Sequence, residues 1–484
     1  MPGNAIEVGP RRCLGVDEIV EAGLGRYSVR PSPEALEAVR RARGIYLEEA
    51  RRRPLYGYCT GLGALQGSRQ PCGPRYEERV MAEHAAGMGP LAGEWVVRGF
   101  MAVWISQASS GGHPLRPELV VRVSKALEEG LVPLVPLYGS VGASGDLAPS
   151  AHALQCILLG RGKALFRGRI AECSEALSSI GLEPLDLEPG EALAAINNTA
   201  WSTALTAAAV WAGLRLVEAS ISVARYTLES IPFNPEEFGA GAEAKKHPGQ
   251  ARVARLLRGA KPAGSPGRLQ DPYSIRCIPQ VYGASLEALE WAASVVEREA
   301  CSPTTNPVIQ GGRAWHGCNF HTAYLALAAE AVKASLVQVA NMVSYRLERL
   351  MDSRINGVSD FLAGEGSSVG AMIVQYSAAA IAAEARAEAF PRSAEWLATS
   401  LGHEDSNPMT PNAALSALRV AWILSWLLSA EAAVASMIRR ARGLRDPLGV
   451  EASPEDPSGS VYRARERILP EELRVILDNT TLHL

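Results

Sequence analysis

Apolar residues are spread very unevenly along this 484-residue chain. Residues 201–230 contain a single glycine, and neither 319–356 nor 412–442 contains a glycine or a proline. In all three stretches alanine and large aliphatic residues are too frequent to occupy one stripe. Helices covered on most sides are therefore predicted, as in the core of a bundle. Asn412 stands where a side-chain cap would open the last of them. Residues 1–195 read differently. Glycine and proline interrupt them repeatedly, giving predicted loops at 57–67, 109–117 and 132–149 and a short strand within 163–170. A second loop-rich stretch, 233–279, is polar and basic, and reads as a surface excursion or an oligomer contact. No repeat of fixed period is present. The pattern predicts a mainly α protein with a loop-rich N-terminal domain (1–195) followed by a helical bundle (196–484).

Composition narrows the function classes. A net charge of −3 gives no electrostatic reason to expect nucleic acid or an acidic membrane as partner. The apolar run 420–430 lies between Arg419 and Glu431 and is too short to span a bilayer. The eight cysteines (13, 59, 72, 156, 173, 277, 301 and 318) show no C-x-x-C pair and no metal-ligand spacing, so no metal site is expected. Scattered thiols suggest a reducing compartment, and the first residues lack a basic stretch followed by an apolar run, so a soluble cytoplasmic protein is expected.

The chemistry concentrates in residues 139–152, GSVGASGDLAPSAH. Its glycine spacing fits neither common phosphate-binding loop, and no lysine follows. A plain turn before a helix is one reading. The other is chemical: attack of the Gly145 amide nitrogen on the Ala143 carbonyl, with loss of two waters, would close Ala143-Ser144-Gly145 into a methylidene-imidazolone ring. The old Ser144 Cβ would then be an electrophile. Glycine permits the close backbone approach, serine supplies the hydroxyl that leaves, and no ordinary side chain is a comparable electrophile. The whole string resembles the signature of the histidine and aromatic amino acid ammonia-lyases, with Ser150 where that family is apolar.

The resemblance extends over nearly the whole chain in separated islands. Tyr56 to Gly63, YGYCTGLG, is similar to the family loop Y-G-x-x-T-G-F-G, which implies that Tyr56 takes the substrate β-proton. A phenol needs nearby positive charge for that task, and Arg276 is the candidate source. Glu83-His84 stands where members select a side chain. His84 matches the histidine-specific form and Glu83 departs from it. Asn197-Asn198-Thr199 resembles N-G-T, so Asn197 would hold the substrate amine or the ring carbonyl. Asn198 replaces a glycine, and asparagine accepts a left-handed backbone better than most residues. Residues 270–280, QDPYSIRCIPQ, resemble the histidine-lyase form. There Arg276 would clamp the substrate carboxylate, with Tyr273 and Gln270 beside the ring and the departing amine. Phe320, in N-F-H, would pack near the ring. Thr305 stands where an aspartate is usual. Glu404, in His403-Glu404-Asp405, would accept a hydrogen bond from an imidazole or act as base, and Ser406 to Pro408 depart from the pattern. Taken singly, a lid tyrosine, a structural histidine or helix caps would account for several of these residues.

What the resemblance implies is elimination of ammonia from L-histidine to give trans-urocanate, in a homotetramer of the histidase/fumarase-like helical type with shared active sites. The cofactor would be self-made and no external one is required. An ammonia-lyase or aminomutase acting on another aromatic amino acid is the alternative, and a non-catalytic helical scaffold a more distant one.

Overall fold

The computed structural model describes residues 5–481. Its centre is a set of long helices, Ala200–Leu228, Ile278–Ala300, Ala323–Arg349 and Thr410–Ala441, packed side by side. The last is buried along nearly its whole length and around most of its circumference. Alanine recurs through all four, which lets backbones approach closely while leucine, valine and isoleucine fill the remaining space. Among the described residues three helices are, by length and composition, apolar enough to cross a membrane, including Thr410–Ala441, a longer unit than the run 420–430 considered alone. Most of each is buried against its neighbours.

One ionic group sits inside this apolar bundle. Arg346 donates from Nε and Nη2 to the two carboxylate oxygens of Glu431, both at 2.7 Å, with both side chains fully buried. Such a pair holds only when every remaining donor is satisfied. Arg346 also donates to the Ser274 carbonyl and the Tyr282 hydroxyl, each at 2.8 Å, and Glu431 accepts from the Thr227 hydroxyl at 2.7 Å. The short helix Tyr273–Arg276 is thereby fastened to the bundle core.

Around the bundle, residues 5–195 supply shorter helices and small sheets. Ala5–Val8 pairs in parallel with Ser28–Pro31, and Met88–Leu91 pairs antiparallel with Pro136–Tyr138. The expected strand at 163–170 is a hairpin, Lys163–Phe166 against Arg169–Glu172, turned by Arg167 and Gly168 with φ of 50° and 76°. Both turn residues are left-handed, as the twist of a two-residue hairpin requires. Buried residues from both sides of position 195 form one continuous core.

Three expectations are corrected. Asn412 does not cap the last long helix: Met409 occupies the cap position, Thr410 is the first helical residue, and Pro411 in the first turn presets the backbone. The uninterrupted stretch 319–356 is divided, because the Asp352 side chain accepts from the Arg354 amide and starts a separate turn, Ser353–Asn356. Six of the eight cysteines are not thiols. Disulfides join Cys13 to Cys301, Cys59 to Cys72 and Cys156 to Cys173, and only Cys277 and Cys318 are free.

Candidate active site

The Ala143-Ser144-Gly145 tripeptide lies in the turn just before the helix Leu147–Leu159. Gly142, Ser144 and Gly145 all have left-handed backbones, with φ of 73°, 59° and 74°. For Ser144 this conformation is unfavourable, and surrounding contacts must impose it. Asp146 supplies part of that constraint. Its buried carboxylate accepts from the Ser140 hydroxyl at 2.7 Å, the Ser202 amide at 2.8 Å and the Ser202 hydroxyl at 2.7 Å. Burial pushes this carboxyl above its usual range, and those hydrogen bonds oppose the rise.

The surroundings of the tripeptide fit a cyclised product. A Cβ at Gly145 would lie 2.5 Å from the Asn198 carbonyl oxygen, so only glycine fits where the attacking amide sits. Asn197 Nδ2 donates to the Ser144 carbonyl at 2.6 Å, the oxygen that would become the ring carbonyl. Asn197 Oδ1 in turn accepts from the Asn306 amide at 2.7 Å. Asn198 does not use a left-handed backbone, contrary to the expectation for a glycine replacement. Its side chain is held by four short contacts instead, to Ser150, Ala195, Ile196 and Ala200.

Ser144 opens onto a cavity of about 870 Å³, lined also by Tyr56, His84, Ala143, Asn197, Phe320 and Glu404. Six separate sequence islands therefore meet at one place. The Tyr56 hydroxyl accepts from the Gly63 amide at 2.9 Å, across the loop that carries it. Burial pushes the Tyr56 phenol up, the Gly63 hydrogen bond draws it down, and the charge on Glu404 pushes it further up. Glu404 accepts from the Thr399 hydroxyl at 2.8 Å. On the helix Pro74–His84, His84 contacts the Val80 carbonyl through Nδ1 at 2.7 Å. The other ring nitrogen is then free to face the cavity.

The 270–280 island is elsewhere. Gln270, Tyr273 and Arg276 do not line this cavity. Gln270 is exposed, Tyr273 is 70% exposed, and the Arg276 guanidinium stacks 4.8 Å from the Tyr273 ring centroid. The expected help from Arg276 to the Tyr56 phenolate is thus not seen within one chain. Arg276 Nε is buried without a partner.

Several cavity residues were not singled out in the sequence. Arg79, on the same helix as His84, is the cavity's own guanidinium. His316 accepts from the Tyr56 amide at 3.1 Å, and His321 Nε2 lies 3.0 Å from the Ser406 carbonyl. His403 Nε2 lies 3.1 Å from Gln66 Nε2. His321 and His403 stand beside Phe320 and Glu404 in motifs already read, whereas no motif signals Arg79 or His316. Among the described residues no three His, Cys, Asp or Glu side chains are grouped to hold a metal ion. Thr305, where an aspartate was usual, is buried with its hydroxyl unpartnered.

This geometry agrees with what the chain is similar to. The family model for aromatic amino acid lyases matches residues 14–456. A histidine ammonia-lyase of Paracidovorax citrulli is 36% identical over 424 residues, covering 85% of this chain and 81% of that protein. A histidine ammonia-lyase of Geobacillus thermodenitrificans is 35% identical over 459 residues, covering 92% and 89%. The crystal structure of histidine ammonia-lyase from Trypanosoma cruzi superposes with a TM-score of 0.82 at 26% identity, covering 98% of this chain and 97% of that one. Ergothionase from Treponema denticola, at 21% identity and a TM-score of 0.87 over 96% of this chain and 98% of its own, shares the fold. A match this long, on a chain whose separated motifs converge on one cavity, makes the protein a carbon–nitrogen lyase that belongs to the aromatic amino acid lyase family.

Proposed function

We propose that the protein is a histidine ammonia-lyase, converting L-histidine to trans-urocanate and ammonia. The observation that carries this reading is Glu404 in the Ser144 cavity. A carboxylate there is matched by an imidazole N–H, whereas beside a phenyl ring it would be a charge with no counterpart. His84 lines the same cavity and would bind the imidazole alongside Glu404. The relatives named histidine ammonia-lyase point the same way.

Cyclised Ala143-Ser144-Gly145 would supply the electrophilic carbon that draws electrons from the substrate, chemistry no ordinary side chain offers. The remaining work falls to this chain's own groups. Asn197 holds the Ser144 carbonyl, Phe320 packs along the ring, and the loop from Tyr56 to Gly63 closes one side against water. Tyr56 takes the β-proton as the Cα–N bond breaks and the Cα–Cβ double bond forms. Positioning these groups around one substrate supplies much of the acceleration.

Tyr56 needs a cation, and the substrate carboxylate needs a partner. Both needs are met if the 270–276 segment of a neighbouring copy covers the cavity mouth, with Gln270 and Tyr273 beside the amine and Arg276 on the carboxylate. The proposed assembly is a homotetramer with shared sites. It would give the exposed Tyr273 surroundings that one chain lacks.

Turnover of L-histidine, L-tyrosine and L-phenylalanine by the purified protein and its Glu404→Gln variant tests the substrate. Histidine should be the preferred substrate, and the variant should lose roughly tenfold to a hundredfold in kcat/KM for histidine alone, as expected for a hydrogen bond to a charged group. No urocanate absorbance from the unaltered protein would overturn the reading.

A further inference from the structure

Asn198 and Ser150 were met separately in the sequence, 48 positions apart, each as a departure from a family pattern. In the structure they touch. Both are fully buried, and Asn198 Nδ2 donates to Ser150 Oγ at 3.0 Å. The same nitrogen reaches the Ala195 and Ile196 carbonyls at 2.9 and 3.1 Å, so its two hydrogens are shared among three acceptors. Asn198 Oδ1 accepts from the Ala200 amide at 2.9 Å. Every polar atom of this side chain is engaged, and the residue has no freedom to shift.

Its backbone bears directly on the reactive turn. The Asn198 carbonyl accepts from the Asp146 amide at 2.7 Å, one residue after Gly145. The position a Gly145 Cβ would take lies 2.5 Å from that carbonyl oxygen and 2.8 Å from the Asn198 amide nitrogen. Ser150, in the first turn of Leu147–Leu159, donates its amide to the Asp146 carbonyl at 3.1 Å. The Asn198–Ser150 hydrogen bond therefore ties the segment that carries Gly145 to the Asn198 backbone packed against it.

We propose that Asn198 and Ser150 form a positioning clamp that presses the Gly145 amide toward the Ala143 carbonyl and so sets the rate of ring closure. This rests on the proposed cyclisation. In that step the Gly145 nitrogen bonds to the Ala143 carbonyl carbon. The Ala143 oxygen leaves as water with the amide hydrogens of Ser144 and Gly145. The Ser144 hydroxyl leaves as a second water with the Cα hydrogen. No oxidant or reductant is needed. Two groups of one chain react faster the closer their resting geometry lies to the attack geometry, and a locked Asn198 limits retreat of the Gly145 peptide. Neither clamp residue touches substrate.

The test compares the unaltered protein with Ser150→Ala, Asn198→Ala and the double variant. Intact mass at fixed times after synthesis gives the fraction of chains lighter by two waters. Thermal unfolding and turnover per cyclised chain are measured alongside. Ser150→Ala should cyclise about threefold more slowly and Asn198→Ala about tenfold, consistent with loss of one and of several hydrogen bonds. The double variant should match Asn198→Ala, because one bond links the pair. Turnover per cyclised chain should be unchanged. Folded variants that cyclise at the unaltered rate overturn the clamp alone, and Ser150→Ala decides if Asn198→Ala does not fold. An unaltered protein that is not lighter by two waters overturns both the clamp and the lyase reading.

Discussion

The segment around Ser144 and the segment 270–276 carry comparably specific motifs, yet their situations differ. Ser144 lies among Tyr56, His84, Asn197 and Glu404 in a cavity made by one chain. Tyr273 and Arg276 sit on a short helix that is rigidly anchored, through the Ser274 carbonyl and Arg346, but outside that cavity. Under the proposed shared site, this anchored and outward-facing segment would serve a neighbouring copy. The difference teaches that motifs of equal specificity along one sequence need not line one cavity of the folded chain.

The largest effect that separates the two regions is expected at Arg276. Arg276→Ala should reduce kcat/KM by about a hundredfold, the scale of a lost charged fork on a carboxylate, while lowering thermal stability only slightly, since within the chain it stacks on Tyr273 and acts through its charge on Glu237. Steady-state kinetics with a melting curve check this. A large fall in stability would instead make Arg276 a packing residue and break the contrast.

A pH profile sharpens the same point. Within one chain burial and Glu404 raise the Tyr56 phenol. A neighbouring guanidinium favours the phenolate and lowers it again. The alkaline rise in kcat/KM, which reports deprotonation of Tyr56, should therefore move to higher pH in Arg276→Ala. A shift to lower pH, or none, would separate Arg276 from Tyr56.

The smallest effect concerns the loop that carries Tyr56. The Cys59–Cys72 disulfide ties together a segment whose residues from Thr60 to Gln70 supply much of the cavity wall. Cys59→Ser should lower kcat severalfold, because an untied loop excludes water less well, with the 270–276 segment unaffected. Unchanged kcat would show that the loop holds its shape without the bond.

How much of this was legible depended on whether the signal was local. Ala143-Ser144-Gly145 could be singled out because the whole run from Gly139 to His152 resembles the family signature; the three residues alone would have read as a turn. The long helices could be read because 201–230, 319–356 and 412–442 offer almost nothing to break them. Pairings across the chain could not. Cys13 finds Cys301 at a separation of 288 residues, and no spacing rule reaches that far. Glu431 read as a boundary of an apolar run, whereas three-dimensional packing makes it the buried partner of Arg346. Asn412 has the chemistry of a cap, but Pro411 one residue earlier had already committed the backbone to helix. Which way Arg276 faces was invisible for the same reason: a motif specifies residue types, and only packing specifies a direction.

The most direct measurement of the central claim is complementation between two inactive variants. Ser144→Ala should abolish deamination to roughly a thousandth or less, and Arg276→Ala should be severely impaired, each alone. Co-expressed in one cell and purified as mixed assemblies, they should recover a substantial part of the unaltered activity, because some sites would combine an intact Ser144 from one copy with an intact Arg276 from another. Mixed assemblies no more active than the variants purified separately would contradict a site shared between chains.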